Sequence, residues 1–257
     1  MAALVSPAGA AVRHWVADTV APGVEHAHPA LTSLPSGGSL LVQSAGGSWI
    51  VHADGSKRLL GSFDGATWSP HGLYVAATSR HELATVDPAG EVRWTLDRGG
   101  PVRLPSWNGP DGFRLAYLNG SSLRVVNGDG SDDHLLEPRV AAIAPAWKPG
   151  RSYVLAFAKR DGRVEAVRTD SGATTFATGP GPRPLSLQWS LGGRRLLVTE
   201  PTGVDVRGSS GRLRWRWTAP AGERVLAARL APSGDHVAVI VGGSVGSRLL
   251  LIGPGKA

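Results

Sequence analysis

The segment Trp68-Ser69-Pro70-His71-Gly72-Leu73-Tyr74-Val75-Ala76-Ala77 decides the fold, because it is a tight-turn signal followed at once by a short apolar run, and it recurs. The window opens at Leu34-Pro35-Ser36-Gly37-Gly38, at Trp68, at Trp107-Asn108-Gly109-Pro110-Asp111-Gly112, at Trp147-Lys148-Pro149-Gly150, at Trp189-Ser190-Leu191-Gly192-Gly193 and at Leu230-Ala231-Pro232-Ser233-Gly234. Successive starts are 34, 39, 40, 42 and 41 residues apart. A period near 40 residues is the signature of a repeat architecture in which each unit is one supersecondary element.

Working outward from each window, the same order of signals returns. A run rich in β-branched or aromatic residues follows it: Leu40 to Val42, Leu73 to Ala77, Phe113 to Tyr117, Tyr153 to Phe157, Leu196 to Val198 and Val237 to Val241. Each is the length of a buried strand. A second, alternating strand comes next, as at Leu123 to Val126, Val164 to Val167 and Val204 to Val206. It ends in a Gly-bearing turn: Ala53 to Ser56, Asp87 to Gly90, Asn127 to Gly130, Asp170 to Gly172, Gly208 to Gly211 and Gly253 to Gly255. Glycine, Asp and Asn supply the positive φ and local side-chain bonds of hairpin turns. A last strand follows the first five turns, clearest in Leu213-Arg214-Trp215-Arg216-Trp217-Thr218, where period-two alternation puts Arg on one face and apolar residues on the other. Each repeat thus reads as four short antiparallel strands, one blade of a β-propeller.

The blades start near residues 31, 66, 105, 145, 187 and 228, and the whole of 1–257 reads as a single propeller domain. The sixth repeat stops at the turn Gly253-Pro254-Gly255, where its fourth strand should begin. The N-terminus carries Ser6-Pro7-Ala8-Gly9-Ala10-Ala11-Val12-Arg13-His14-Trp15-Val16, which resembles the turn and outer strand Asp87-Pro88-Ala89-Gly90-Glu91-Val92-Arg93-Trp94-Thr95. Residues 11–17 are therefore expected to complete the last blade and close a six-bladed ring, since closure removes free sheet edges.

Composition narrows the chemistry. The 257 residues include 35 Gly, 19 Pro and no Cys, which excludes a disulfide scaffold, a thiolate metal site and a cysteine nucleophile. The formal charge is +7, but the Arg residues are scattered from Arg13 to Arg248 without a concentrated basic segment, so nucleic acid is not the expected partner. No apolar stretch approaches the length of a bilayer span. The first residues lack a basic n-region and are broken by Pro7, so a cytosolic chain, or one from which a leader has been removed, is expected.

The windows at Trp68 and Trp107 resemble the W-S-P-D-G turn of the TolB-like β-propeller repeat, a bacterial relative of the WD repeat. The resemblance runs from Leu31 to Gly253. The second to fifth copies begin with Trp and the first and sixth with Leu, and the repeat's usual Asp is kept only as Asp111. The resemblance implies a six-bladed propeller acting as a protein-interaction or envelope-associated module without a shared catalytic set. Fold transfers across such a likeness more safely than function does.

Several local motifs compete with that reading. Gly242-Gly243-Ser244-Val245-Gly246 matches the G-x-S-x-G nucleophile elbow, but its flanks read as two strands, whereas the elbow needs a strand and a helix. Ser62 to Trp68 resembles a sialidase Asp-box with one residue missing. His26 and His28 could supply two imidazoles of a metal site, without a third ligand. Asn127 to Asp133 spaces oxygen ligands as a calcium loop does, yet lacks the Gly and Glu such a loop requires. The recurring Trp68, Trp107, Trp147 and Trp189 are read as packing between blades. No catalytic, metal or cofactor residues are assigned, and no cofactor is expected.

In a propeller, the loops joining second to third strands and those joining one blade to the next gather on one face, where function resides. That face collects Arg80, His81, Glu82, Asn119, Lys159, Arg160, Asp161 and Glu200, with further Arg in the longer loops, so an acidic peptide or anionic polymer is the expected partner class. The leading expectation is a non-enzymatic, monomeric protein- or peptide-binding module. A hydrolase or lyase drawing on His81, Glu82, Asp161 and Glu200, and a lectin-like cell-surface binder, stand as alternatives.

Overall fold

The computed structural model describes residues 38–109, 112–150, 152–244 and 246–255, which fall in two compact units, Met1–Ser62 and Phe63–Ala257. In the first, β1 (Ser39–Ser44), β2 (Gly47–His52) and β3 (Lys57–Gly61) pair antiparallel in that order. The second holds five further antiparallel sheets. Four have four strands in chain order: β4 (Gly65–Trp68), β5 (Val75–Ser79), β6 (Glu82–Val86) and β7 (Val92–Asp97); β8 (Val102–Trp107), β9 (Arg114–Asn119), β10 (Ser122–Asn127) and β11 (His134–Glu137); β12 (Ala146–Trp147), β13 (Val154–Ala158), β14 (Val164–Arg168) and β15 (Thr174–Ala177); and β16 (Ser186–Trp189), β17 (Arg195–Glu200), β18 (Gly203–Gly208) and β19 (Leu213–Thr218). The fifth has three, β20 (Arg224–Leu230), β21 (Val237–Gly243) and β22 (Gly246–Ile252). No helix occurs among the described residues, hence none long and apolar enough to cross a membrane. The closing strand expected over residues 11–17, and the pair His26 and His28, lie outside the described residues.

The repeated window is a hydrogen-bonded turn between first and second strands. Ser69 N–H donates to the Tyr74 carbonyl at 2.8 Å, Gly72 N–H to the Ser69 carbonyl at 3.0 Å, and the Ser69 hydroxyl accepts from Tyr74 N–H at 3.0 Å. Ser190, Gly193 and Arg195 repeat this set at 2.8, 2.8 and 3.1 Å. At the Ser69 turn the strand therefore begins two residues later than its composition predicts: Leu73 and Tyr74 belong to the turn, and β5 starts at Val75. The G-x-S-x-G match lies across the β21–β22 connection with no helix after it.

Packing joins consecutive sheets through the window residue of the later one. Trp107 lies in a cluster with Ala76 and Leu83 of the preceding sheet. Trp147 packs with Leu118, Leu123 and Val125, Trp189 with Val154, Ala156 and Phe176, and Leu230 with Leu197, Val204 and Val206. Two of these Trp also bond across the gap: the Trp147 indole N–H donates to the Ser106 carbonyl at 2.8 Å and that of Trp189 to the Ala146 carbonyl at 3.1 Å. In the last step Leu230 has no indole, and its backbone N–H donates instead to the Gln188 side-chain oxygen at 2.9 Å.

These contacts make Trp147 a stability determinant of the second unit. Trp147→Ala is expected to lower unfolding stability by about 3–5 kcal/mol, the usual cost of emptying a large buried aromatic site, in urea denaturation. Trp147→Phe should lose distinctly less, because it keeps most of the packing and gives up the indole bond.

Candidate interaction face

The connections expected to share one face are tied together by backbone hydrogen bonds in the second unit. Arg98 N–H donates to the His81 carbonyl and Val102 N–H to that of Arg80; Gly120 donates to Pro101, Val140 to Ser121, Gly181 to Asp161, Ala219 to Thr202 and Val225 to Pro201. The hairpins β5–β6, β9–β10, β13–β14 and β17–β18 are thereby each clamped to a connection leading into or out of their sheets. The clamps run as a belt from the β4–β7 sheet to β20. Gly162 shows how closely the belt is packed: its φ is +82°, and a Cβ there would collide with the Gly181 carbonyl oxygen.

The eight expected residues stand on this belt in three chemical conditions. Arg80, His81, Arg160 and Asp161 are exposed. Among the described residues Arg80, His81 and Arg160 form no side-chain ion pair, whereas Asp161 holds the Arg163 N–H at 3.1 Å. Glu82 and Asn119 are half-buried at strand ends, as is Glu200 at the end of β17. Lys159 is spoken for: its ammonium lies 2.6 Å from Glu137 and 3.7 Å from Glu165. No hydrogen bond or ion pair among the described residues joins any two of His81, Glu82, Asp161 and Glu200.

Two carboxylate networks lie beneath the belt. Asp133 accepts from the Arg98 guanidinium, from Arg124 Nε and Nη2 at 3.0 and 2.5 Å, and from the Tyr117 hydroxyl at 2.6 Å. Asp205, only 1% exposed, accepts from Arg207 Nη2 at 2.6 Å and from Arg216 Nε and Nη2 at 2.5 and 2.8 Å. Asp133 thus serves as a largely buried anchor for two Arg, and Arg98 is drawn inward from the face. Single-sequence reading missed both networks: alternation puts Asp205 on the face opposite Val204 and Val206, and no local signal marks that face as buried.

Burial, and the bond it donates to Asp133, push the Tyr117 phenol above its ordinary value. Burial, then the nearby Asp205 carboxylate, raise the Glu200 carboxyl above its ordinary 4.5. A raised carboxyl favours folding below its unfolded value, and that contribution is lost as pH rises through the folded value.

No protein-family model and no curated protein matches the chain. Solved structures do. The chain is similar to the crystal structure of Kluyveromyces marxianus Hsv2, with TM-score 0.66 and 10% identity over 85% of this chain and 70% of that one. It is also similar to Kluyveromyces lactis Hsv2, with TM-score 0.66 and 12% identity over 79% and 68%, and to a form of that protein in which loop 6CD is replaced by a Gly-Ser linker, with TM-score 0.62 and 11% identity over 79% and 70%. At such identities the likeness shows the fold alone, and that fold is the β-propeller.

The networks and the free cations predict opposite mutational behaviour. Asp133→Asn should cost about 3 kcal/mol, because two guanidinium groups lose their counter-charge, while Arg80→Ala should stay within about 0.5 kcal/mol of the parent; urea denaturation of the two variants checks both. Glu200→Gln should raise the thermal midpoint at pH 7, with the gain vanishing below the ordinary carboxyl range, read by calorimetry across pH.

Proposed function

We propose that the chain is a non-catalytic β-propeller scaffold that binds a protein or peptide across the belt of clamped connections, with an acidic segment of the partner meeting Arg80, His81 and Arg160. The observation that carries this reading is the contrast along the belt: Lys159 and Arg98 are neutralised by the protein's own acids, whereas Arg80, His81 and Arg160 project from tightly clamped backbone without acidic partners among the described residues. Exposed charge held on a rigid scaffold contributes to association rate and orientation more than to fold stability. The propeller likeness to the Hsv2 structures is compatible with such a scaffold and assigns no partner. The TolB-like repeat remains the resemblance of the windows.

The architecture proposed for this function is the six-bladed ring, with residues 11–17 adding the fourth strand to β20–β22. It rests on the sequence likeness to β7 and on β22, which pairs with no further strand among the described residues and carries Leu249 and Leu251 at 70% and 71% exposure.

Both parts are testable. A partner isolated by affinity capture and identified should bind Arg80→Glu/Arg160→Glu at least about tenfold more weakly than the parent chain, with a weaker salt dependence and an unchanged circular dichroism spectrum; undiminished binding overturns the face. For the ring, hydrogen exchange at the outward amides of β22 should be slow in the full chain and fast after deletion of residues 1–17. Fast exchange in the full chain rejects that closing strand.

A further inference from the structure

Arg80 and His81 form the two-residue loop between β5 and β6, and the carbonyls of both accept from a single connection: His81 from Arg98 N–H at 2.7 Å and Arg80 from Val102 N–H at 3.1 Å. The path of that connection therefore fixes the backbone from which both side chains start. The same pair of bonds recurs at Pro201 and Thr202, which accept from Val225 and Ala219. There the connection braces itself, because Pro220 restricts its own backbone and accepts from Glu223 N–H at 3.0 Å. Over 98–101 no such internal backbone hydrogen bond forms among the described residues, and Gly99 and Gly100 bring no side chain that could hold the segment.

What holds it is the Arg98 side chain. The guanidinium crosses to the β8–β11 sheet, where Nε donates to the Tyr117 hydroxyl at 2.9 Å and Nη2 to the Asp133 carboxylate. Tyr117 is fully buried and donates in turn to Asp133 at 2.6 Å, while Asp133, its side chain 9% exposed, also accepts from Arg124. A planar guanidinium gripped at two of its nitrogens by a buried hydroxyl and a carboxylate has one orientation, and the backbone that carries it is fixed with it. We infer that Asp133, acting through Arg98, positions the Arg80–His81 hairpin for its partner. The inference rests on the proposed protein-binding reading and adds to it a residue that itself touches no partner.

Residue-resolved hydrogen exchange of the full chain tests this hold without any partner. In Arg98→Gln and in Asp133→Asn, the amides of residue 98 and Val102 should exchange at least about tenfold faster than in the parent, since local opening governs exchange in such connections. The amides of Ala219 and Val225, in the equivalent clamp, should keep their rates, which also shows that the variants remain folded. Arg124→Gln takes the other guanidinium from Asp133 and leaves the Arg98 bonds, so the amides of Arg98 and Val102 should stay within about twofold of the parent. Unchanged exchange at these two amides in Arg98→Gln, or equal acceleration in Arg124→Gln, overturns the inference. For binding, a decaglutamate peptide stands in for the acidic segment and is followed through the amide shifts of Arg80 and His81. The double variant Arg98→Gln/Asp133→Asn keeps the net charge, so the expected loss of at least about threefold in affinity reads position and not charge; parent-like affinity overturns the positioning role. If the parent itself leaves decaglutamate unbound, the acidic-partner reading fails, and the exchange rates still decide whether Asp133 holds the hairpin.

Discussion

Contact between successive sheets through one recurring residue is the interaction on which the second unit depends. A four-stranded sheet with two apolar faces cannot stand alone in water, so each repeat must bury one face on its predecessor and one on its successor. Trp107, Trp147 and Trp189 supply the bulk for this, and their period follows directly from the period of the chain. The indole bonds of Trp147 and Trp189 add direction, because each fixes the inner strand of one sheet against the carbonyl preceding the equivalent Trp in the sheet before it. At the last junction Leu230 keeps the packing, and Gln188 accepts the bond from the backbone in place of an indole.

With the sheets fixed in this way, the chain separates two uses of charge. Asp133 and Asp205 each gather two Arg at positions where an unpaired carboxylate would be costly, and desolvation makes such contacts obligatory once any partner is present. Exposed Arg80 and Arg160 have no such obligation. A formal charge of +7 is therefore a poor guide to the surface potential of any one region, since several of the Arg that contribute to it are consumed internally. The contrast between committed and uncommitted cations is what gives the belt a chemical character.

The sequence made the repeat legible because its signals are local. A Ser or Asn after Trp, a Gly closing the turn and an apolar run all fall within ten residues, and the turn at Ser69 forms as its residues require. The belt was legible as well, since hairpin connectivity alone assigns those loops to one end. The charge networks were not, because they depend on register. Alternation places Arg214 and Arg216 on one face of β19, but only the pairing of Arg216 with Asp205, set by the bulge between Val206 and Arg207, turns that face into a partner for a buried carboxylate. The Arg98 network likewise joins residues 35 positions apart through a loop whose path no local signal encodes. The start of β5 falls two residues later than composition predicts for a related reason: Leu73 and Tyr74 have strand composition, yet the Ser69 side chain captures the Tyr74 N–H for the turn.

The sheets of the second unit differ in strand count, and a sheet edge without a neighbour leaves a row of backbone groups unpaired. Among the described residues the β20–β22 sheet has three strands, its last strand carries the exposed Leu249 and Leu251, and Arg248 donates to Glu223 on the adjoining connection. Leu at alternate positions of an edge strand invites aggregation unless something covers it; the fourth strands of the preceding sheets mix exposed Val92, Leu135 and Leu213 with charged or polar residues such as Arg93, Arg214 and Thr218. The residue pattern of β22 is that of an interior strand. This composition, more than the repeat count, is what motivates the proposed pairing of residues 11–17 with β22.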